Sequence, residues 1–402
     1  MTVATEAAND DVRARRNVAV LFFAQAVLGS QMPINIVLGG LAGAQLSPDP
    51  ALATLPISLM VLVAMLSAAP ASLMMGRWGR RTGFLCGALS GSLGGAVSAG
   101  SLLLGSFELL LLGFALTGVY QAFQNFYRFA AADTASEAFK PKAISWVLAG
   151  GLVGALLGPE VLVHTRDLFD PVPYAGAFAA VVVLNIIGAV GLLPLDIPVP
   201  PRRAKGVRQG RPMGEILRQP RVFVAIICGM VAFALMNLVM TSTPLAMVVC
   251  GYTPDNAADV VRWHAFAMFA PSFFTGSIIA RFGHAKVIGA GLVALAGCGV
   301  VALSGIALTQ FYVALILLGI GWNFAFIGAT SLLATGHTPE EQAKVQGLND
   351  FLVFGLVATA SFSSGALLST YGWDSVQYAM APALIIAGSA IIWLSLRRPD
   401  PA

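Results

Sequence analysis

The chain is 402 residues long, 57% hydrophobic and 10% charged, with a mean hydropathy of +0.81. Soluble domains run at roughly 45–50% apolar and about 25% charged, so an ordinary water-solvated fold is excluded. The net charge of +4 would point to nucleic acid in a soluble protein, but the placement of the basic residues gives them another role, and no nucleic-acid partner is expected.

The first residues, MTVATEAANDDVRARRN, lack the pattern of a cleavable signal peptide and read as a short, irregular polar tail. Apolar stretches follow at 17–40, 51–75, 82–104, 107–132, 140–164, 172–194, 220–246, 256–280, 285–306, 310–333, 342–368 and 374–396. Each is near the roughly 20 residues that carry a helix across a bilayer. Helices are required, because lipid offers no partner to free backbone groups and the stretches are too long for barrel strands. The expected fold class is an all-α polytopic membrane protein with twelve spans in the lipid bilayer.

The one long polar interruption, 196–219, is basic and Pro-rich and reads as a linker between a first half, 1–195, and a second, 220–402. Of the 23 Lys and Arg residues, Arg166 and Arg262 alone fall in the gaps on one side of the barrier. The other side holds Arg13, Arg15 and Arg16, the linker set Arg202, Arg203, Lys205 and Arg208, and Arg397 and Arg398 near the end. Basic loops mark the cytoplasmic side, which places both termini there. Cys86, Cys228, Cys250 and Cys298 lie in or beside apolar stretches without metal-ligand spacing, and the four histidines are scattered. No metal site and no cofactor are expected, and the cysteines read as small buried hydrophobes.

The halves look like copies. At a constant offset of 204 residues Arg77 matches Arg281, Gly79 matches Gly283, Lys140 matches Lys344, Gly151 matches Gly355, and Leu152-Val153 match Leu356-Val357. Parallel repeats of six helices are an architecture of secondary transporters.

These features resemble the major facilitator superfamily over nearly the whole chain. The family's loop between the second and third spans usually reads G-x-x-x-D-R-x-G-R-R. Here Ser72 to Arg81 keeps Arg77, Gly79, Arg80 and Arg81, with Ser72 for the first Gly and Gly76 for the Asp. The second copy keeps Gly276, Arg281 and Gly283, with Ala280 at the Asp position. The resemblance implies gating roles for Arg77, Arg81 and Arg281, and leaves the loop without its usual carboxylate. The strings YRFAAADTASEAFKPKAIS, WHAFAMFAPSFFTGSIIARFG and GWNFAFIGATSLL…KVQGLNDFLVFG are similar to a bacterial branch whose best-known members look like riboflavin importers. That resemblance implies a bacterial inner-membrane protein, mostly monomeric. Gly154-x-x-x-Gly158-Pro159 matches the core of a motif associated with antiporters, yet Leu162 and Val163 replace its trailing glycines and Phe114 stands about where drug–proton antiporters carry an arginine.

Polar groups inside the spans are costly and normally face water or another helix. The third and ninth spans carry no amide or charge in their apolar cores, and the sixth and twelfth offer Asn185 and Gln377. Those four spans are therefore expected to form the lipid-facing rim. On the fourth span Thr117, Gln121, Gln124, Asn125 and Arg128 fall on one helical face. Gln121, Gln124 and Asn125 are expected to line a solute path; Arg128 either grips a substrate anion or imide with its planar fork, or snorkels or pairs with Asp133. The first span adds Gln25, Gln31 and Asn35 around Pro33, the seventh Asn237 ahead of Pro244, and the tenth Trp322 and Asn323; the first and seventh are expected to be interrupted near their middle at these prolines. With Tyr120 they suit a planar, hydrogen-bonding solute.

On the eleventh span Gln346, Asn349 and Asp350 repeat the pattern. Asp350 is the best-placed intramembrane acid. It either carries a proton through the transport cycle or locks a gate with Lys344 or an arginine of the first half. Glu160 with His164, and Arg262 with His264, are either an outer gate or plain interfacial groups.

No metalloprotease, nucleophile-elbow or nucleotide-loop motif is found, so the chain is not expected to be an enzyme or to use ATP directly. A channel would need a ring of filter groups, against which the duplicated halves argue. The expected function is secondary active transport of a small organic solute by alternating access, importing a riboflavin-like compound by uniport or proton symport; the alternative is proton-coupled efflux of amphipathic compounds. The halves are expected to rock about a central site, with Gly150, Gly151 and Gly154 facing the opposite half.

Overall fold

The computed structural model describes residues 2–49, 52, 55–199 and 210–397. In chain order its helices are α1 (Thr2–Gly29), α2 (Gln31–Leu46), α3 (Leu55–Trp78), α4 (Arg80–Leu104), α5 (Phe107–Gln124), α6 (Tyr127–Ala132), α7 (Lys140–Thr165), α8 (Ala175–Leu192), α9 (Met213–Leu217), α10 (Pro220–Val249), α11 (Pro254–Phe269), α12 (Ser272–Phe282), α13 (His284–Leu303), α14 (Leu308–Ala334), α15 (Gln342–Tyr371), α16 (Trp373–Tyr378) and α17 (Met380–Leu396). No strand occurs among the described residues. Eleven helical stretches among them are long and apolar enough to cross a membrane, and α11 with α12, bent by 41° at their junction, supplies a twelfth. The chain is a multi-pass, all-helical membrane protein. Arg202, Arg203, Lys205 and Arg208 of the expected linker, and Arg398, lie outside the described residues.

Two local expectations are corrected. The opening segment is helical from Thr2 rather than irregular; once a span has nucleated a helix, extending it through Ala, Glu and Arg costs little. The seventh span, expected to break near Pro244, runs on as the 30-residue α10. There the hydroxyls of Thr241, Ser242 and Thr243 bond back to the carbonyls of Asn237, Leu238 and Val239, holding the turn around the donor that proline lacks. The first span does break, at Ser30, and the eighth breaks just before Ser272.

The duplication is visible in the backbone. Gly79 has φ 88° and ψ 160°, and Gly283 has φ 86° and ψ 159°. Each joins two spans in a conformation that L side chains rarely adopt.

Contacts group the chain into two compact units. The first comprises Met1–Ser136, Val147–Gln209 and Pro339–Phe351, and the second Glu137–Trp146, Gly210–Thr338 and Leu352–Ala402. In the first unit α4 packs between α5 and α8. A Cβ on Gly94 would lie 2.8 Å from the Gly113 carbonyl, the close backbone approach that small residues give membrane helices. Phe114 and Phe178 meet edge to face at 6.1 Å in one buried cluster with Ile34 and Leu38. Gly150, Gly154 and Gly158 lie against the carbonyls of Phe22, Ala26 and Ser30. For Gly150 and Gly154 this corrects the expectation: they seat α7 on α1 within one unit. A stripe of small residues says that a helix is near, not which one.

In the second unit α14 is the central helix, with α10, α11 and α13 packed around it. Gly291 and Gly321 face each other across α13 and α14, a Cβ on either falling within 3 Å of the other's carbonyl. The third, sixth, ninth and twelfth spans each expose large apolar side chains, such as Leu89 on α4, Val190 on α8, Val293 on α13 and Ile385 on α17. Other spans do the same, such as Leu66 on α3 and Phe362 on α15, so exposure does not single out those four as the lipid-facing rim.

Candidate functional site: a buried polar face and an aromatic box

The polar face of the first unit is set by a helix break. α5 stops at Gln124 and α6 begins at Tyr127, so Gln121 and Gln124 stand on one axis and Arg128 on the next. Arg128 and Asp350 are 4% and 0% exposed, and the guanidinium Nη2 donates to Asp350 Oδ1. Asn349 Nδ2 donates to the same oxygen at 2.9 Å. Asp350 Oδ2 has no donor among the described residues. The two bonds thus converge on one carboxylate oxygen and leave the other open. The Arg128 guanidinium also lies 4.7 Å from the Phe129 ring centre.

A second, partly buried cluster involves the same stretch of α15. Arg80 donates to Asp133 Oδ2 at 2.8 Å and to Gln346 Oε1 at 2.6 Å, and Gln342 donates to Asp133 Oδ1. This corrects one reading of the sequence, in which Arg128 pairs with Asp133. Asp133 belongs to Arg80, and Arg128 to Asp350. Arg80 is the first residue of α4, where a cation meets the positive end of the helix dipole, so it depends on its carboxylate. Two arginines and two aspartates then balance. Buried pairs of this kind are held by mutual need, since removing one partner strands the other.

Arg80 was not among the sequence candidates. Its neighbours in the motif, Arg77 and Arg81, are exposed, with Arg77 over the Trp78 ring. Arg281 in the second copy is likewise exposed, over Phe282. What singles Arg80 out is its place directly after the left-handed Gly79. Glu160 and His164 are both 73% exposed, 3.8 Å apart.

Of the expected lining residues, several carry open valences. A Cβ on Gly29 would lie 3.3 Å from Gln124 Nε2 and 3.5 Å from Gln25 Nε2, so both amides overhang the same bare turn. Asn35 Nδ2, Gln121 Oε1 and Asn125 Nδ2 are buried without a partner among the described residues. Each such atom costs about 1–3 kcal/mol, which water or a bound solute would recover. Gln31 and Tyr120 are engaged instead: Gln31 pairs with Asn185 of α8, and the Tyr120 hydroxyl donates to Leu28 O at 2.8 Å.

The second unit offers a different surface. Trp322 of α14 stacks on Phe326 with centroids 5.1 Å apart and planes 19° apart, flanked by Phe233 at 5.7 Å and Phe269 at 5.9 Å. Phe233 also meets Phe354 at 5.5 Å. Trp322 Nε1 and Asn237 Oδ1 are buried without partners among the described residues. Asn323 is fully engaged, donating to Met268 O and Ser272 Oγ and accepting from Thr275; it ties α14 to α11 and α12. The four phenylalanines were missed from sequence, although Phe233 with Asn237 and Trp322 with Phe326 share i, i+4 spacing.

Residues 18–361 and 264–402 match the profile of the Major Facilitator Superfamily. The chain belongs to that superfamily. This major facilitator is 44% identical over 374 residues to the riboflavin transporter RfnT of Brucella anthropi, covering 93% of this chain and 94% of that one. It is 27% identical to the uncharacterized MFS-type transporter YddS of Bacillus subtilis, covering 96% and 93%. Among solved structures it is similar in fold to the transporter FucP, with a TM-score of 0.77 at 14% identity over 95% of this chain and 98% of that one. A bacterial homologue of the iron transporter ferroportin gives 0.72 at 15% identity, covering 96% and 100%. This major facilitator is therefore a membrane transporter for a small molecule, and its fold is that of the superfamily.

Proposed function

We propose that this protein imports riboflavin, or a close relative with the same flat hydrogen-bonding ring, across a bacterial inner membrane as a proton symporter working by alternating access. The carrying observation is the 44% identity to the riboflavin transporter over 93% of the chain. Gln25, Gln121, Gln124, Asn125 and Asn35 supply the hydrogen bonds that a polyhydroxylated chain needs. Asp350 carries the proton: its Oδ2 is the open position, and a proton there removes the charge that holds Arg128. The same event frees a planar cation to meet the solute, which joins the carrier and the lock in one pair. The protein acts as a monomer with both termini in the cytoplasm, and it is not an enzyme. Gly154 and Gly158, the core of the antiporter-like motif, are committed to packing on α1 and α2, so they do not favour efflux.

The test is uptake of labelled riboflavin into proteoliposomes with and without an inward proton gradient. Saturable uptake that rises with the gradient is expected. Absence of uptake above empty liposomes would discard the vitamin, and gradient-independent uptake would discard the symport.

A further inference from the structure

We propose that the aromatic box of the second unit reads the dione edge of the solute's ring, with Trp322 Nε1 donating to a ring carbonyl and Asn237 Oδ1 accepting from the neighbouring ring N–H. This rests on the riboflavin reading and deepens it.

Both atoms are buried without partners among the described residues, and loose packing does not account for it. The other buried indole of this unit, Trp373, donates to Ala302 O at 3.3 Å. Asn323, next in sequence to Trp322, satisfies both ends of its amide. Trp322 itself is 3% exposed, so its N–H has no ready access to bulk water, and a buried unpaired donor is expensive. An indole N–H can act only as a donor, and the Asn237 oxygen only as an acceptor.

Asn237 stands one helical turn after Phe233 on α10, and the Phe233 ring lies 5.7 Å from that of Trp322, so both atoms belong to one wall. A ligand that answers both must offer an acceptor and a donor near each other on a flat, largely apolar body. A cyclic imide fused to an aromatic ring has that edge: a carbonyl beside an N–H. The pyrimidinedione of an isoalloxazine is such an edge. Around it Phe233, Phe269, Phe326 and Phe354 supply ring faces and edges, and Phe233 and Phe269 remain half-buried. An aliphatic solute would leave both polar atoms unmet, and a sugar, whose hydroxyls could meet them, would lack the flat face that the rings contact, so the box selects against both.

The experiment uses the full chain in proteoliposomes and compares riboflavin with its N3-methyl derivative, which keeps the ring and loses the N–H. Wild-type protein is expected to prefer riboflavin by about 10-fold, the equivalent of about 1.4 kcal/mol. Asn237→Leu is expected to lose that preference while weakening riboflavin itself. Trp322→Phe keeps an aromatic ring and is expected to weaken riboflavin and its N3-methyl derivative alike, because its donor serves the carbonyl. Equal handling of the two flavins by wild-type protein would overturn the inference, and that comparison needs no variant to fold. An undiminished preference in Asn237→Leu would overturn it too. Wild-type protein that takes up no riboflavin would fell the parent reading, and this one with it.

Discussion

Asp350→Asn isolates the proton from the shape of the site. The amide keeps the volume and an oxygen for Arg128, which is 4% exposed, but removes the charge that compensates it. Stranding one member of a buried pair costs about 3–5 kcal/mol, so the variant should melt at a visibly lower temperature. Adding Arg128→Gln removes the stranded cation, and the double variant should recover much of the loss. The functional consequence is separate. One pH unit across the membrane stores about 1.36 kcal/mol per proton, enough for about 10-fold accumulation of solute at one proton each. Wild-type vesicles with an acidic exterior should approach that ratio, and Asp350→Asn should stay near unity while still exchanging internal for external riboflavin. The assay is labelled riboflavin inside and outside proteoliposomes at equilibrium, with counterflow as the second readout. Accumulation by Asp350→Asn equal to that of wild type would refute the assignment of the proton to this carboxylate.

Arg80→Ala should cost about 1–3 kcal/mol, because it leaves the partly buried Asp133 carboxylate without its cation, whereas Arg77→Ala should stay within about 0.5 kcal/mol; thermal unfolding of the two purified variants checks the contrast. Gly283→Ala places its Cβ in open space, so only the positive-φ backbone opposes it, at about 1–3 kcal/mol; Gly79→Ala should cost more, since its Cβ also meets Val199 at 3.1 Å. Gly158→Ala drives a methyl into the Ser30 carbonyl and should sharply reduce recovery of monodisperse protein, while Gly40→Ala, with nothing within 4 Å, should leave it unchanged.

The fold was legible because bilayer thickness acts on long windows: twelve apolar stretches can be found without knowing any contact. The polar face of α5 was legible for a related reason, since helical spacing alone aligns Thr117, Gln121 and Gln124, whereas the break that sets Arg128 on α6 was not. Partnership was not. Gln31, Tyr120 and Asn323 look as available in sequence as Gln121, and only packing shows them engaged with Asn185, Leu28 and Ser272. Arg80 was hidden among three motif arginines that differ by where one glycine turn points them. Phe233 and Phe269 were hidden by abundance, since phenylalanine is common in any membrane span and spacing does not tell a ligand wall from filler.

The glycine seam that seats α7 on α1 and α2 has a bearing on how this lineage can change. A Cβ on Gly150, Gly154 or Gly158 would meet a carbonyl oxygen at 3.1 Å or less, and a backbone cannot mutate out of the way. A descendant that acquires a new diet therefore has little freedom along that wall. Its variation must accumulate where atoms still lack partners, at Gln121 and Asn125 on one side chain set and Asn237 and Trp322 on the other. Sequences that have drifted in what they carry should differ there first, and keep the seam.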